Sequence, residues 1–210
     1  MIFNEISEAL QKGNRKLVIT LVEQAISEGI TAKDILEQGL LDGMNIIGVK
    51  FKNNEVYVPE VLIAARAMNA GTELLKPLLA SEGVKAVGKV VLGTVKGDQH
   101  DIGKNLVRMM MEGQGLQVVD LGVDVSAADF VDTAIREEAQ IIACSALLTT
   151  TMGEMKAVVE RAVELGIRDK VKIMVGGAPV TDNFCKSIGA DFYTDDAASA
   201  AEVAAQICAG

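Results

Sequence analysis

The sequence predicts two domains, an N-terminal four-helix bundle over residues 1–82 and a C-terminal α/β domain over residues 88–210 built on five parallel strands. Two patterns and the length predict it. Apolar residues recur every three or four positions from Phe3 to Leu79, the period of amphipathic helices. Beyond the polar, glycine-containing stretch Ser81 to Gly88, short β-rich runs alternate five times with helical patterns. A chain of 210 residues holds one large domain or two small ones. At 50% hydrophobic and 23% charged residues it has enough apolar side chains to bury a core.

In the first half the periodic residues are Ile6 and Leu10, then Leu17, Leu21, Val22 and Ala25, then Ile35, Leu36, Leu40, Ile46 and Ile47. They predict helices near 3–12, 15–28, 32–50 and 60–76. Gly13 with Asn14 and Gly29 with Thr31 are stop-then-cap signals, and Thr31 with Asp34 resembles a capping box. Pro59 suits a first helical turn, where its missing N–H is harmless, and Pro77 is expected to end or kink the last helix. Four antiparallel helices with short joins form a bundle.

In the second half the strand-like runs are Lys89–Thr94, Gln117–Asp120, Gln140–Cys144, Lys172–Val175 and Asp191–Tyr193. Helical patterns follow at about 103–114, 126–138, 152–166, 181–188 and 196–208. Five strand–helix units imply a parallel sheet with helices on both faces, and suit the flavodoxin-like (Rossmann-like) order 2-1-3-4-5. Ligands of such sheets bind beyond the carboxyl ends of the strands at the switch point, here beside the loop after Thr94.

Composition excludes several functions. Aromatic residues are 3% with no Trp, and 20 basic against 29 acidic side chains give a formal charge of −9. A nucleic-acid partner is not expected, since base-stacking platforms are scarce and phosphates would be repelled. Cys144, Cys185 and Cys208 are widely separated and form no CxxC pair, so neither a disulfide framework nor a zinc knuckle is indicated. The N-terminus has no basic segment, and no apolar run approaches the roughly 18 residues needed to span a bilayer. A cytoplasmic protein, neither exported nor in a membrane, is expected.

The single histidine, His100, lies in the loop after the first strand, Gly93-Thr94-Val95-Lys96-Gly97-Asp98-Gln99-His100-Asp101-Ile102-Gly103-Lys104-Asn105. This connection is about twice the usual βα length. Asp98 and Asp101 flank the imidazole closely enough for one carboxylate to accept a ring N–H, which orients the other nitrogen as a metal ligand. One histidine without a cysteine or carboxylate cluster cannot hold a bare zinc ion, but it can supply one axial ligand to a metal already held in a macrocycle. Two further clusters fall at strand ends. One is the hydroxyl-rich Ser145-Ala146-Leu147-Leu148-Thr149-Thr150-Thr151; the other is Gly176-Gly177-Ala178-Pro179. Taken singly, these read as helix caps and an ordinary turn. Together they surround one edge of the sheet, where paired glycines let a bulky ligand approach the backbone.

Asp98-Gln99-His100-Asp101-Ile102-Gly103, Ser145-Ala146-Leu147 and Gly176-Gly177 resemble the D-x-H-x-x-G, S-x-L and G-G pattern of cobalamin-binding domains. Gly43-Met44-Asn45-Ile46-Ile47-Gly48 and Val56-Tyr57-Val58-Pro59-Glu60-Val61 resemble the helical cap of methyl-transferring members such as methionine synthase. In size and layout the chain is similar to the stand-alone corrinoid proteins of anaerobic methyltransferase systems.

That resemblance implies that His100 ligates cobalt from below, with Asp98 bonded to the imidazole and Thr151 as third member, where the family often has Ser. It implies that Gln99, Asp101, Ile102 and Gly103 belong to the cofactor loop, that Leu147 is a further cofactor-binding residue, and that Ser145 and Thr149 face the displaced nucleotide tail. Gly176 and Gly177 would let the tail pass, and Asp191 to Ser199 would close around its far end. Met44, Tyr57, Val58 and Met68 would shield the upper, methyl-carrying face, the alternative for these four being bundle core.

The implied function is a methyl carrier, a subunit rather than a complete enzyme. It accepts a methyl group on cob(I)alamin from a substrate-specific methyltransferase and yields it to a second, acceptor methyltransferase, with a reductive activase as a further partner. An O-demethylase system delivering to tetrahydrofolate is the expected setting, and a hinge is expected at Ser81 to Gly88. The alternatives are a mutase domain, which normally accompanies a substrate barrel of about 250 residues, a cobalamin-sensing or storage protein without methyl transfer, and a flavodoxin-like FMN or receiver module.

Overall fold

The computed structural model describes all 210 residues, which form two compact units, one of Met1–Ala86 with Gly113–Gly115 and one of Val87–Glu112 with Leu116–Gly210.

The first unit is helical: α1 (Ile2–Gln11), α2 (Arg15–Ser27), α3 (Ala32–Asp34), α4 (Asp42–Lys52) and α5 (Val58–Ser81), with a π-helical segment at Ile35–Leu41 joining α3 to α4. The Asn14 side chain caps α2 by accepting the Leu17 N–H at 3.2 Å, after a turn at Gly13 with φ +65°. Thr31 accepts the Asp34 N–H at 3.1 Å, but Asp34 answers through the Thr31 hydroxyl rather than the backbone, so only half of a capping box forms.

One uninterrupted helix was expected at 32–50, and packing explains the π segment inside it. Ile35, Gly39 and Leu40 are all buried. In an α-helix Ile35 and Leu40 would point about 140° apart, whereas the wider π turn puts both on the buried side. Gly39 and Gly43 then let α1 come close, for a Cβ at either would sit 3.0–3.1 Å from Ile6 or Ser7.

Of the two outcomes expected for Pro77, ending the helix does not occur: α5 continues to Ser81. The Glu82 carboxylate beyond it accepts the free N–H groups of Ala32 and Lys33 at 2.9 and 3.1 Å, a tertiary tie that holds the last turn despite the missing proline donor.

The second unit is a five-stranded, all-parallel sheet in the order β2-β1-β3-β4-β5. Its strands are β1 (Lys89–Thr94), β2 (Gln117–Asp120), β3 (Ile141–Ser145), β4 (Lys172–Gly176) and β5 (Phe192–Tyr193). The helices between and after them are α6 (Ile102–Gly113), α7 (Ala127–Glu137), α8 (Gly153–Glu164), α9 (Asp182–Ile188) and α10 (Ala197–Ala209).

Right-handed crossovers place α7, α8 and α9 on one face. There Phe130, Met155, Val158 and Cys185 pack in one core with Val91, Ile142, Cys144, Ile173 and Val175 of the strands. The alternate residues Val90, Leu92, Ala143 and Met174 are also buried, so the strands read as continuous apolar runs. Gly93 is needed within β1, since a Cβ there would lie 2.8 Å from the Phe130 ring. No helix is long and apolar enough to cross a membrane.

Candidate functional site

The strand order reverses between β1 and β3, and their registers run together to Thr94 and Ser145. Just beyond, Val95 N–H donates to the Ser145 carbonyl at 3.0 Å, so the loops after the two strands leave the sheet side by side.

Asp98 is the centre of this edge. Its side chain is fully buried although it sits in a polar loop. Oδ1 accepts the His100 ring Nδ1–H at 2.7 Å and the His100 backbone N–H at 3.1 Å. Oδ2 accepts the N–H groups of Leu147 and Leu148 at 2.8 and 3.2 Å and the Thr151 hydroxyl at 2.8 Å. Burial alone pushes the carboxyl pKa up, but hydrogen bonds from the His100 ring, the Leu147 and His100 N–H groups and Thr151 outweigh it. They hold Asp98 well below the usual carboxylate range. An ionised carboxylate only accepts, so Nδ1 of His100 carries a proton and Nε2 is the ring nitrogen not engaged by Asp98. The His100 side chain is 51% exposed.

Thr151 is buried and turns its hydroxyl to Asp98, with the Leu148 carbonyl a second acceptor at 2.9 Å. The hydroxyl therefore does not cap α8, the ordinary role of a threonine before a helix.

Of the other sequence-predicted residues, Asp101 lies apart from the imidazole bond and receives the Asn105 side-chain amide at 3.1 Å, bracing the first turn of α6. Gln99 and Thr149 are exposed, and Ser145 is half-buried at the end of β3. Ile102 and Leu147 are exposed apolar residues, 77% and 44%, and Leu148 beside them is 40% exposed. A Cβ on Gly103 or Gly176 would meet nothing within 4 Å, so both border open space. Gly177 differs: at φ +131° a Cβ would overlap the Ala146 carbonyl oxygen, so this glycine lets the loops after β3 and β4 pack together. In the helical unit Met44 and Met68 are buried, Val58 is half-buried and Tyr57 is 64% exposed.

Asp191 does not belong to this edge. Its carboxylate accepts the Ile173 N–H at 2.7 Å and pairs with Arg168 at 3.0 Å at the amino end of β4, because the sheet carries it to the opposite side.

Sequence reading missed several residues. Thr94, fully buried, donates its hydroxyl to the His100 carbonyl at 2.8 Å. Asp124, in the loop after β2, accepts the Gly97 N–H at 2.7 Å and donates its own N–H to the Asp98 carbonyl at 3.0 Å. Lys104 is buried in the first turn of α6 and bonds both oxygens of Asp120 at 2.6 and 2.7 Å. Lys104 at a helix start and Asp120 closing a strand carried a usable signal in the parallel topology, which places both at the carboxyl edge.

These features test what the edge can hold. No group of three His, Cys, Asp or Glu side chains could bind a metal ion. A half-exposed imidazole with one nitrogen tied back, exposed apolar side chains at Ile102, Leu147 and Leu148, and open space at Gly103 and Gly176 fit a broad apolar disc. Its metal would arrive already held by the disc, and His100 is the side chain here that would hold it.

Two family models, each described as a B12 binding domain, match residues 88–203 and residues 2–76. The chain is 41% identical over 210 residues to the dimethylamine corrinoid protein of Methanosarcina barkeri, covering 99% of this chain and 98% of that protein. It is 42% identical over 198 residues to trimethylamine corrinoid protein 1 of Methanosarcina acetivorans, covering 93% and 92%. Its structure is similar, at TM-score 0.89 and 32% identity, to a chain of the methanol:cobalamin methyltransferase complex MtaBC of Methanosarcina barkeri, covering all of this chain and 80% of that one. The chain belongs to the family of corrinoid proteins built from B12 binding domains.

Proposed function

We propose that this protein is a cytoplasmic methyl carrier that holds a corrinoid at the β1–β3 edge and passes a methyl group between a substrate-specific methyltransferase and an acceptor methyltransferase. The observation that carries the reading is the Asp98–His100 pair, in which a buried carboxylate engages Nδ1 and leaves Nε2 free on a half-exposed side chain.

When bound, the corrinoid's cobalt supplies the chemistry of methyl capture and release. His100 would be its protein ligand. Asp98 stays a carboxylate and orients the ring, and Thr151 holds the carboxylate from behind. Ile102, Leu147 and Leu148 would cover the lower face of the macrocycle and exclude water, while Ser145, Thr149, Gly176 and the loop at Gln99 and Gly103 would border the nucleotide tail. Met44, Tyr57, Val58 and Met68 are proposed for the upper face, with the burial of the two methionines favouring a packing role for them.

The relatives named for dimethylamine and trimethylamine move the proposed donor from the substrate of an O-demethylase towards a methylated amine. Tetrahydrofolate as acceptor and a reductive activase remain part of the proposal. The stretch Ser81 to Gly88 is proposed as the hinge between units; shortening it should slow both half-reactions.

Titration of the purified protein with hydroxocobalamin and, separately, FMN tests the reading, followed by methylation of the reduced, loaded protein by a dimethylamine-system methyltransferase. One cobalamin per chain, no FMN and a methylated product are expected. FMN binding, or cobalamin binding with no methyl uptake from any methylamine or methanol enzyme, would move the protein to another function.

A further inference from the structure

The residues that present His100 are themselves held from a third loop. The loop after β1 could collapse in many ways, since Gly97 and the exposed Gln99 do not constrain it. Leu147, Leu148 and Thr151 hold the Asp98 carboxylate, while three bonds fix the loop's main chain: the Thr94 hydroxyl to the His100 carbonyl, the Asp124 N–H to the Asp98 carbonyl, and the Gly97 N–H to Asp124 Oδ1.

Asp124 makes two of the three, and its backbone is left-handed at φ +57°. That conformation is uncommon outside glycine, although Asp and Asn tolerate it better than other side chains. It turns the Asp124 N–H and carboxylate towards the same loop. The flanking peptides lock the turn in place: Thr94 N–H donates to the Gly122 carbonyl at 2.9 Å, Val125 N–H to the Thr94 carbonyl at 3.0 Å, and Asp120 accepts the Gly122 N–H at 2.9 Å while paired with Lys104.

We infer that Asp124 is a positioning residue for His100: by clamping the peptides of Gly97 and Asp98 it sets the Asp98 carboxylate where it holds the imidazole as the Nδ1–H tautomer. It acts through Asp98 and touches neither the ring nor a ligand. The inference rests on the proposal that His100 is the axial ligand only for its consequence in cofactor binding; the tautomer itself is a property of the protein alone.

Two variants separate side chain from backbone. Asp124→Gly keeps the left-handed turn and removes the acceptor for Gly97, and Asp124→Asn keeps both the turn and an acceptor oxygen. His100 is the only histidine, so nitrogen-15 NMR of histidine-labelled protein without cofactor reads one ring. The shifts of its two ring nitrogens show directly which of them carries the proton.

The wild type and Asp124→Asn should show Nδ1 protonated, whereas Asp124→Gly should show a mixture with Nε2 protonated. Hydroxocobalamin affinity of Asp124→Gly should fall about 10-fold, the lower end of what outer partners of a metal-bound imidazole contribute, with Asp124→Asn restoring it. An unchanged tautomer in a folded Asp124→Gly overturns the positioning role whatever the cofactor does. Failure of the wild type to bind cobalamin overturns the proposed function instead and leaves the tautomer result to decide the role of Asp124.

Discussion

Asp98 and His100 are two residues apart and lie on opposite sides of the protein surface: the carboxylate is fully shielded, while the imidazole it grips at 2.7 Å is half exposed. The charge is kept away from water by five protein donors, and the ring carries the pair out to the surface. Orientation of the ring and survival of the buried charge are therefore the same structural fact.

Asp98→Asn follows directly. An amide can accept at only one oxygen and brings two donors into a site built of donors. Either the ring or the Leu147 and Leu148 N–H groups lose their acceptor, at a cost of about 1–3 kcal/mol. Urea unfolding should show that loss, and hydroxocobalamin binding should weaken with it. Wild-type stability and affinity in Asp98→Asn would mean the carboxylate does not organise the edge.

Thr151 separates hydroxyl from shape. Thr151→Val removes a donor to Asp98 at constant size and should cost about 1 kcal/mol. Thr151→Ser retains the hydroxyl and should keep cobalamin affinity near wild type. If valine and serine behave alike in equilibrium binding, the hydroxyl contributes nothing to holding Asp98.

The pH dependence has a definite sign. The folded-state pKa of Asp98 is depressed below its ordinary 3.8. Its contribution to stability is therefore fully present above that value and is lost as pH falls below it towards the folded pKa. Urea midpoints of the wild type and Asp98→Asn should be well separated at neutral pH and converge below about pH 4. A separation that widened on acidification would contradict an ionised Asp98.

The paired glycines should respond differently. Gly177→Ala forces a Cβ onto the Ala146 carbonyl at φ +131° and should destabilise by about 3 kcal/mol or more. Gly176→Ala points a methyl group into open space and should leave the melting temperature nearly unchanged while lowering cobalamin affinity. Equal thermal losses would show that both glycines serve packing alone.

The sequence made the parallel sheet legible because β1, β3 and β4 are buried on both faces and read as unbroken apolar runs ended by glycine or hydroxyl residues. The Asp98–His100 pair was legible because its members are close in the chain. What escaped depends on contacts between distant segments. Pro77 stays helical through Glu82 and the start of α3, a partner some 50 residues away. The π segment at Ile35–Leu41 answers the shape of α1 rather than any local breaker. Gly177 read as room for a ligand, whereas its neighbour Ala146 belongs to a different strand loop. Asp124 was invisible because a lone acidic residue in a loop gives no sign that its backbone is left-handed.

The central claim is that His100 presents Nε2 to the cobalt of a bound corrinoid. The most direct measurement is the EPR spectrum of the cobalt(II) form after reconstitution with hydroxocobalamin, comparing protein carrying nitrogen-15 histidine with unlabelled protein and with His100→Ala. The predicted result is a nitrogen splitting on the cobalt lines that changes from triplets to doublets on labelling and disappears as a histidine signal in His100→Ala. Splitting that ignores the label, with the cofactor's own base still on cobalt in the wild type, would contradict the account.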